Sequence, residues 1–141
     1  MADALALVGD RYSLLVVREI GYGVVRFNDL AAFTGAPRDV LTARLRRLEE
    51  VGILERRQYS ERPPRHEYHL TEAGARLRPI VLALKEWGDA NLNPGAEPVV
   101  FEHSCGAEFH PVTVCRACGK PVEPGELVVT GGTHPIEAEP W

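Results

Sequence analysis

The sequence predicts an α+β fold, in which a helical domain closing with a β-hairpin is followed by a small β-rich unit. Three observations lead there. Apolar residues recur at helical spacing in separate stretches of residues 1–92, and two β-prone runs then flank a proline-stiffened tip. Beyond a Pro/Gly-rich stretch the helical pattern stops, and all 3 cysteines follow. A chain of 141 residues has room for a domain of roughly 90 residues and a small appendage. Hydrophobic residues at 45% and charged residues at 26% match ordinary globular proteins, which excludes a disordered or collagen-like chain.

Taken in order, the start Met1 to Asp10 has no basic region, and its apolar run ends after a few residues, so it does not read as a secretory signal. No apolar stretch approaches the ~20 residues needed to cross a bilayer. The expected setting is therefore cytoplasmic, with no membrane partner. Leu14, Leu15, Val16, Val17 and Ile20 place apolar groups nearly all round a short segment, which reads as a buried helix ending at Gly21-Tyr22-Gly23. Periodicity alone also allows a strand. Asn28 suits the N-cap of a second short helix to about Phe33, with Phe27 as a hydrophobic staple and Gly35 as its stop. Pro37 suits the first position of a third helix, in which Leu41, Leu45 and Leu48 define one core face before Gly52. Ile53–Tyr59 and Arg65–Leu70 then read as strands joined through residues 60–64. Thr71 can cap a final helix carrying Leu77, Ile80, Val81, Leu84 and Trp87 to about Leu92, with Pro79 forcing a kink or a restart.

These boundaries divide the chain into a domain at 1–92, a linker at 93–98, a unit at 99–130 and a loose tail at 131–141. In the unit, Val99–Ser104, Pro111–Val114 and Glu126–Thr130 are the expected strands. In the first domain, helix, short helix, tight glycine turn, longer basic helix and hairpin follow the order of a winged helix-turn-helix. A helix with one apolar face and one Arg/Thr-rich face can rest on the core while entering the ~12 Å major groove of duplex DNA. The hairpin supplies a second contact through Arg56, Arg57, Arg62 and Arg65. The bland alternative is a solvated face, in which Arg44, Arg46 and Arg47 pair with Glu49 and Glu50.

The net charge of −4 speaks against a nucleic-acid partner only until it is divided by segment. Residues 37–65 hold 8 Arg against 5 acidic residues, whereas residues 93–141 hold 2 basic against 7 acidic. The acidity belongs to the second half.

Residues Val8 to Gly88 resemble the HxlR family of bacterial winged-helix transcription regulators, which is similar to the MarR group. The likeness is carried by Gly-Asp-Arg-Tyr-Ser-Leu-Leu-Val-Val-Arg-Glu-Ile at 9–20, Arg-Phe-Asn-Asp-Leu at 26–30 and the run Val40 to Arg56. Pro-Pro-Arg-His-Glu-Tyr-His-Leu-Thr at 63–71, Gly74 and Trp87-Gly88 complete it. The resemblance implies a homodimer on pseudo-palindromic operators, held together through the first and last helices of the domain. It places Arg38, Thr42, Arg46 and Arg47 on the DNA-recognition helix and Arg62 and Arg65 on the wing. Members that sense electrophiles or oxidants share a cysteine just before the first helix, and Met1-Ala2-Asp3 lacks it, so the resemblance implies no thiol switch there. Space between the last helix and the core, near Tyr12 and Trp87, is the candidate pocket for a small-molecule effector, against the simpler reading of both as core aromatics.

Cys115-Arg116-Ala117-Cys118-Gly119 is a Cys-x₂-Cys-Gly knuckle, two thiols on one tight turn. With His103 and Cys105 it offers a Cys₃His set for structural zinc, like a zinc ribbon. The spacing of a single residue between His103 and Cys105 departs from the ribbon pattern, and His110 is the competing fourth ligand. A redox-active Cys115/Cys118 pair or unoccupied thiols are the other readings. His66 and His69 fall on opposite faces of a strand, and His134 lies in the tail.

The expected function is a dimeric DNA-binding transcription regulator without catalysis, responsive to a small molecule or a redox signal, since no paired carboxylates, Ser/His/Asp arrangement or phosphate-cradling glycine loop is present. The alternative is a protein-interaction module that uses the winged helix and ribbon as docking surfaces.

Overall fold

The computed structural model describes residues 1–92, 99–128 and 130 and divides into two units, Met1–Ala96 and Glu97–Trp141. The expected linker at 93–98, His134 and the tail at 131–141 lie outside the described residues.

Asp10 organises the start of the first unit. Its carboxylate accepts the backbone N–H groups of Tyr12 (3.0 Å) and Ser13 (3.1 Å), satisfying donors that the first turn of a helix leaves orphaned. Helix α2 (Arg11–Gly21) follows and buries Val16, Val17 and Ile20. Its Glu19 is buried as well, with Oε1 held 2.6 Å from Arg18 Nη2. Before it stands a helix that the pattern did not suggest, α1 (Ala2–Val8), whose single buried residue, Val8, leaves no periodicity to read.

Helix α3 (Phe27–Thr34) begins two residues earlier than expected. Leu30 N–H donates to the Arg26 carbonyl at 2.9 Å, so Arg26 is the N-cap and Asn28 lies inside the helix. Asn28 is therefore no cap; its Oδ1 accepts from Arg38 Nη2 at 3.0 Å. Gly35 ends α3 at φ 65°, a left-handed conformation that a side chain would oppose. Helix α4 (Arg38–Glu50) starts after Pro37, which occupies the N-cap. Leu41, Leu45 and Leu48 are fully enclosed with Leu30 and Leu54 in the core.

The hairpin is an antiparallel pair, β1 (Leu54–Glu61) and β2 (Pro64–Leu70), in the register Leu54↔Leu70, Arg56↔Tyr68 and Gln58↔His66. An irregularity between Gln58 and Ser60 takes up a residue, so pairing continues to Glu61↔Pro64 and only Arg62 and Pro63 form the tip. The expected tip at 60–64 is thus shorter. A bridge between Arg26 and Glu67, with Tyr68 N–H donating to the Val25 carbonyl at 2.8 Å, ties β2 to the chain entering α3. Thr71 caps the short α5 (Glu72–Ala75), accepting from Gly74 N–H at 3.1 Å. Pro79 marks a restart, at the first turn of α6 (Arg78–Asn91), where its missing N–H costs nothing.

The second unit holds no extended strand among its described residues, contrary to the three expected at Val99–Ser104, Pro111–Val114 and Glu126–Thr130. Isolated bridges, Glu102↔Glu108 and Val114↔Pro121, take their place. Prolines 111, 121 and 124 withhold ladder donors, and turns come too often for a strand to lengthen. None of its described residues is buried.

Candidate nucleic-acid interface

The burial of Leu41, Leu45 and Leu48 leaves the remaining arc of α4 to polar side chains, and Arg38, Thr42, Arg46 and Arg47 are all exposed on it. They are not equivalent. Arg38 is positioned from two directions, its guanidinium lying 4.9 Å from the centroid of the Phe27 ring while it donates to Asn28. Thr42 Oγ1 donates back to the Arg38 carbonyl at 2.7 Å, so its hydroxyl presents lone pairs and a methyl group outward. Arg47 makes a loose pair with Glu50 at 3.8 Å, exposed on both sides and worth little. Arg46, with Arg62 and Arg65 on the wing, has no carboxylate in ion-pair reach among the described residues. Arg44 takes no part in this face: its Nε sits 3.1 Å from Asp10 Oδ1. Arg56 and Arg57 are likewise occupied, by Glu49 (3.6 Å) and Glu55.

Arg26, read in the sequence only as part of the family likeness, and Tyr59, read only as a strand residue, were not singled out for the site, and the structure places both in this region. The Arg26 guanidinium lies 4.9 Å from the centroid of the Tyr59 ring, and its Nε donates to Glu67 Oε1 at 3.2 Å. The start of α3 and the wing thereby enclose a groove of about 480 Å³ lined by Arg26, Phe27, Asn28, Asp29, Tyr59, Arg65 and His66. The same Phe27 and Asn28 hold Arg38, so the first turn of α4, the start of α3 and the wing form one continuous surface. Aromatic groups joined hydrophobic periodicity in the pattern and hid Tyr59; an arginine two residues ahead of an N-cap candidate gave no reason to be singled out. Behind the wing, burial raises the Tyr68 hydroxyl above its ordinary pKa, partly offset by Arg56, so it stays protonated.

The aromatic pair proposed for an effector is split by environment. Tyr12 packs against the core with the Arg11 guanidinium 5.5 Å from its ring centroid, whereas Trp87 is 54% exposed. Trp87 belongs instead to an outward apolar row on α6 with Ile80 (56%) and Leu84 (52%). Helix α6 has no buried residue, and Leu5 on α1 is exposed too.

In the second unit Cys105, Cys115 and Cys118 are free and exposed. The pKa of Cys115 is lowered, through hydrogen bonding from the backbone of Cys118 and Ala117 and then from the Cys118 side chain, which favours the thiolate. His103 Nδ1 accepts from Cys105 N–H at 3.3 Å. His110 lies beyond that turn, its Nε2 3.8 Å from Glu108 Oε1. Among the described residues no three His, Cys, Asp or Glu side chains stand together as a metal site, so His103, Cys105, Cys115 and Cys118 are not assembled as placed.

Comparison with known proteins locates the winged unit. The family model described as HxlR-like helix-turn-helix matches residues 7–96. An uncharacterized HTH-type transcriptional regulator of Mycobacterium tuberculosis is 46% identical over 121 residues, 84% of this chain and 77% of the relative. Another from Bacillus subtilis, YybR, is 39% identical over 88 residues, 62% of this chain and 70% of its own length. Among solved structures, PA1607, a candidate transcription factor, superposes with TM-score 0.78 at 30% identity and covers 89% of each chain. The redox regulator HypR in its oxidized form gives TM-score 0.60 at 35% identity over 65% of this chain and 96% of its own. Among the described residues no helix is long and apolar enough to cross a membrane.

Proposed function

Because this chain belongs to the HxlR-like helix-turn-helix family of transcription regulators, we propose that it binds operator DNA as a homodimer, with α4 in the major groove and the wing on the flanking backbone. One observation carries the reading: the exposed arginines of α4 and of the wing are not separate patches but are joined through Arg38, Phe27, Asn28 and Arg65 into one surface. Within it, Arg46 has no ion-pair partner among the described residues and suits base edges, Arg62 and Arg65 suit phosphates, and Thr42 contributes acceptor and methyl contacts. The outward apolar row on α6, with Leu5 exposed on α1, is the surface a second copy would cover. The relatives are described as HTH-type transcriptional regulators, and the reading includes no catalysis. The effector site expected between Tyr12 and Trp87 forms no part of it, because Tyr12 packs against the core and Trp87 lies in the outward row on α6.

The test is fluorescence anisotropy on duplexes recovered by genomic footprinting, read across a salt series. Arg46→Ala is expected to cost ~1–3 kcal/mol and to relax discrimination between sequences. Arg65→Ala should weaken all duplexes alike and flatten the salt dependence by about one unit of slope. Absence of binding to any duplex at low salt would overturn the reading and favour a protein-docking role for the same surface.

A further inference from the structure

The two turns of the second unit have the same construction. In each, the residue bearing the first donor side chain closes the loop by its own N–H: His103 N–H donates to the Ala107 carbonyl at 2.9 Å and Cys115 N–H to the Lys120 carbonyl at 2.8 Å. In each, a glycine directly follows the second donor and turns the chain in the left-handed region, Gly106 at φ 86° after Cys105 and Gly119 at φ 72° after Cys118. Both glycines donate back to the first donor residue, Gly106 to the His103 carbonyl at 2.8 Å and Gly119 to the Cys115 carbonyl at 2.7 Å. In the first turn the His103 side chain also accepts the N–H of the second donor, Cys105, at Nδ1. The loops differ by a single residue, the one missing between His103 and Cys105. His103 therefore stands where Cys115 stands, and Cys105 where Cys118 stands.

We propose that these two turns are the halves of one tetrahedral zinc site, with His103, Cys105, Cys115 and Cys118 as its ligands and His110 outside it. The shortened spacing, which made His103 doubtful on sequence, is accounted for by a turn that keeps every other bond of its longer counterpart. His110 follows Phe109, whose N–H donates to the Phe101 carbonyl at 2.8 Å, and so falls outside the first loop. Three thiolates and one imidazole are the donors of structural zinc and a poor match for calcium or magnesium, which take oxygen. The unit has a reason to need the metal: with no described residue buried, no core holds it, and a metal crosslink supplies folding free energy directly. The ligands do not stand together as placed, so binding requires the turns to close on each other, and the stretch between them has no buried anchor to oppose that. Each thiol surrenders its proton on binding, to solvent.

The full chain, purified in reductant without chelator and dialysed against zinc sulfate, is expected to retain one zinc per chain by mass spectrometry of the metal. Cys118→Ser and His103→Ala should each weaken zinc binding by more than ~10-fold, since second-shell partners alone are worth ~10–100-fold. His110→Ala should retain the metal. Cobalt substitution should show thiolate charge-transfer bands in the wild type, and Cys118→Ser should diminish them. Duplex binding by each variant checks that the winged unit is folded and keeps this result separate from the DNA reading. No zinc bound by the wild type, zinc lost in His110→Ala while His103→Ala keeps it, or a Cys115–Cys118 disulfide formed in preference to metal binding would overturn the proposal.

Discussion

Asp10 does two jobs at one carboxylate. It caps α2 through Tyr12 and Ser13, and it meets Arg44 of α4 at 3.1 Å. Burial pushes its pKa up, but the hydrogen bonds from the Ser13 hydroxyl and from the backbone of Ser13 and Tyr12, together with Arg44, outweigh it and leave the pKa lowered. A carboxylate held below its unfolded value, near 3.9, stabilises the fold above that pH and loses the contribution as pH falls through the folded-state value. Asp10→Ala should therefore cost ~1–2 kcal/mol at neutral pH, the usual worth of a cap. Thermal melts of wild type and variant should converge as the pH falls through the lowered folded-state value, where the wild-type carboxyl becomes protonated as well; a gap that persists in the acid limit would assign the loss to packing. This cap was unreadable as such in the sequence, because Asp10 followed a stretch assigned to no element. The recognition face was more legible, since an arginine alternating with leucine at helical spacing announces a two-sided helix. Which arginines are free was not, because Arg44 is taken by Asp10, distant along the chain, while Arg56 and Arg57 turn to the nearer Glu49 and Glu55.

At the level of elements, the hairpin is held at its base as much as along its ladder. Thr71 Oγ1 donates to the Gly52 carbonyl at 2.6 Å, Thr71 N–H reaches the Ile53 carbonyl at 3.1 Å, and Gly74 packs against that same carbonyl. A Cβ at Gly74 would collide with backbone oxygen rather than with a pliable side chain. Gly74→Ala should cost ~1–3 kcal/mol in chemical denaturation, in the range of overpacked sites, and should lower duplex affinity through a displaced wing. Unchanged stability would mean that α5 shifts without consequence. Helices with three core leucines or a strong glycine stop could be placed to within a residue from their pattern. The start of α3 could not, because Asn28 fits a cap by residue type while the backbone of Arg26 had already begun the helix. The strands of the second unit failed for a related reason: β-prone residues such as Val112 and Val114 are necessary for a ladder, but frequent prolines and turn glycines leave no length in which to form one.

For the molecule as a whole, the apolar surface left on α1 and α6 is what a lone protomer would be expected to bury. Ile80, Leu84 and Trp87 recur at helical spacing, each more than half exposed, on a helix with no buried residue. If the proposed homodimer forms through that row, Leu84→Glu, a charge in its middle, should convert dimer to monomer in analytical ultracentrifugation and reduce operator affinity by at least the ~10²-fold that linking two half-sites commonly contributes. A Leu84→Glu protein that stays dimeric would move the interface elsewhere. The corner between α1 and α2 then acquires a further meaning. The Asp10–Arg44 pair fastens the reading helix to the point where the chain leaves α1. In a twofold assembly joined through α1, any displacement of that corner is repeated by symmetry in the other protomer, so the separation of the two reading helices changes by up to twice the local shift. Operators tolerate little error about one helical repeat of ~34 Å, so on the proposed homodimer the pair would work as a ruler, converting the seating of two short helices into the spacing of half-sites that could be read.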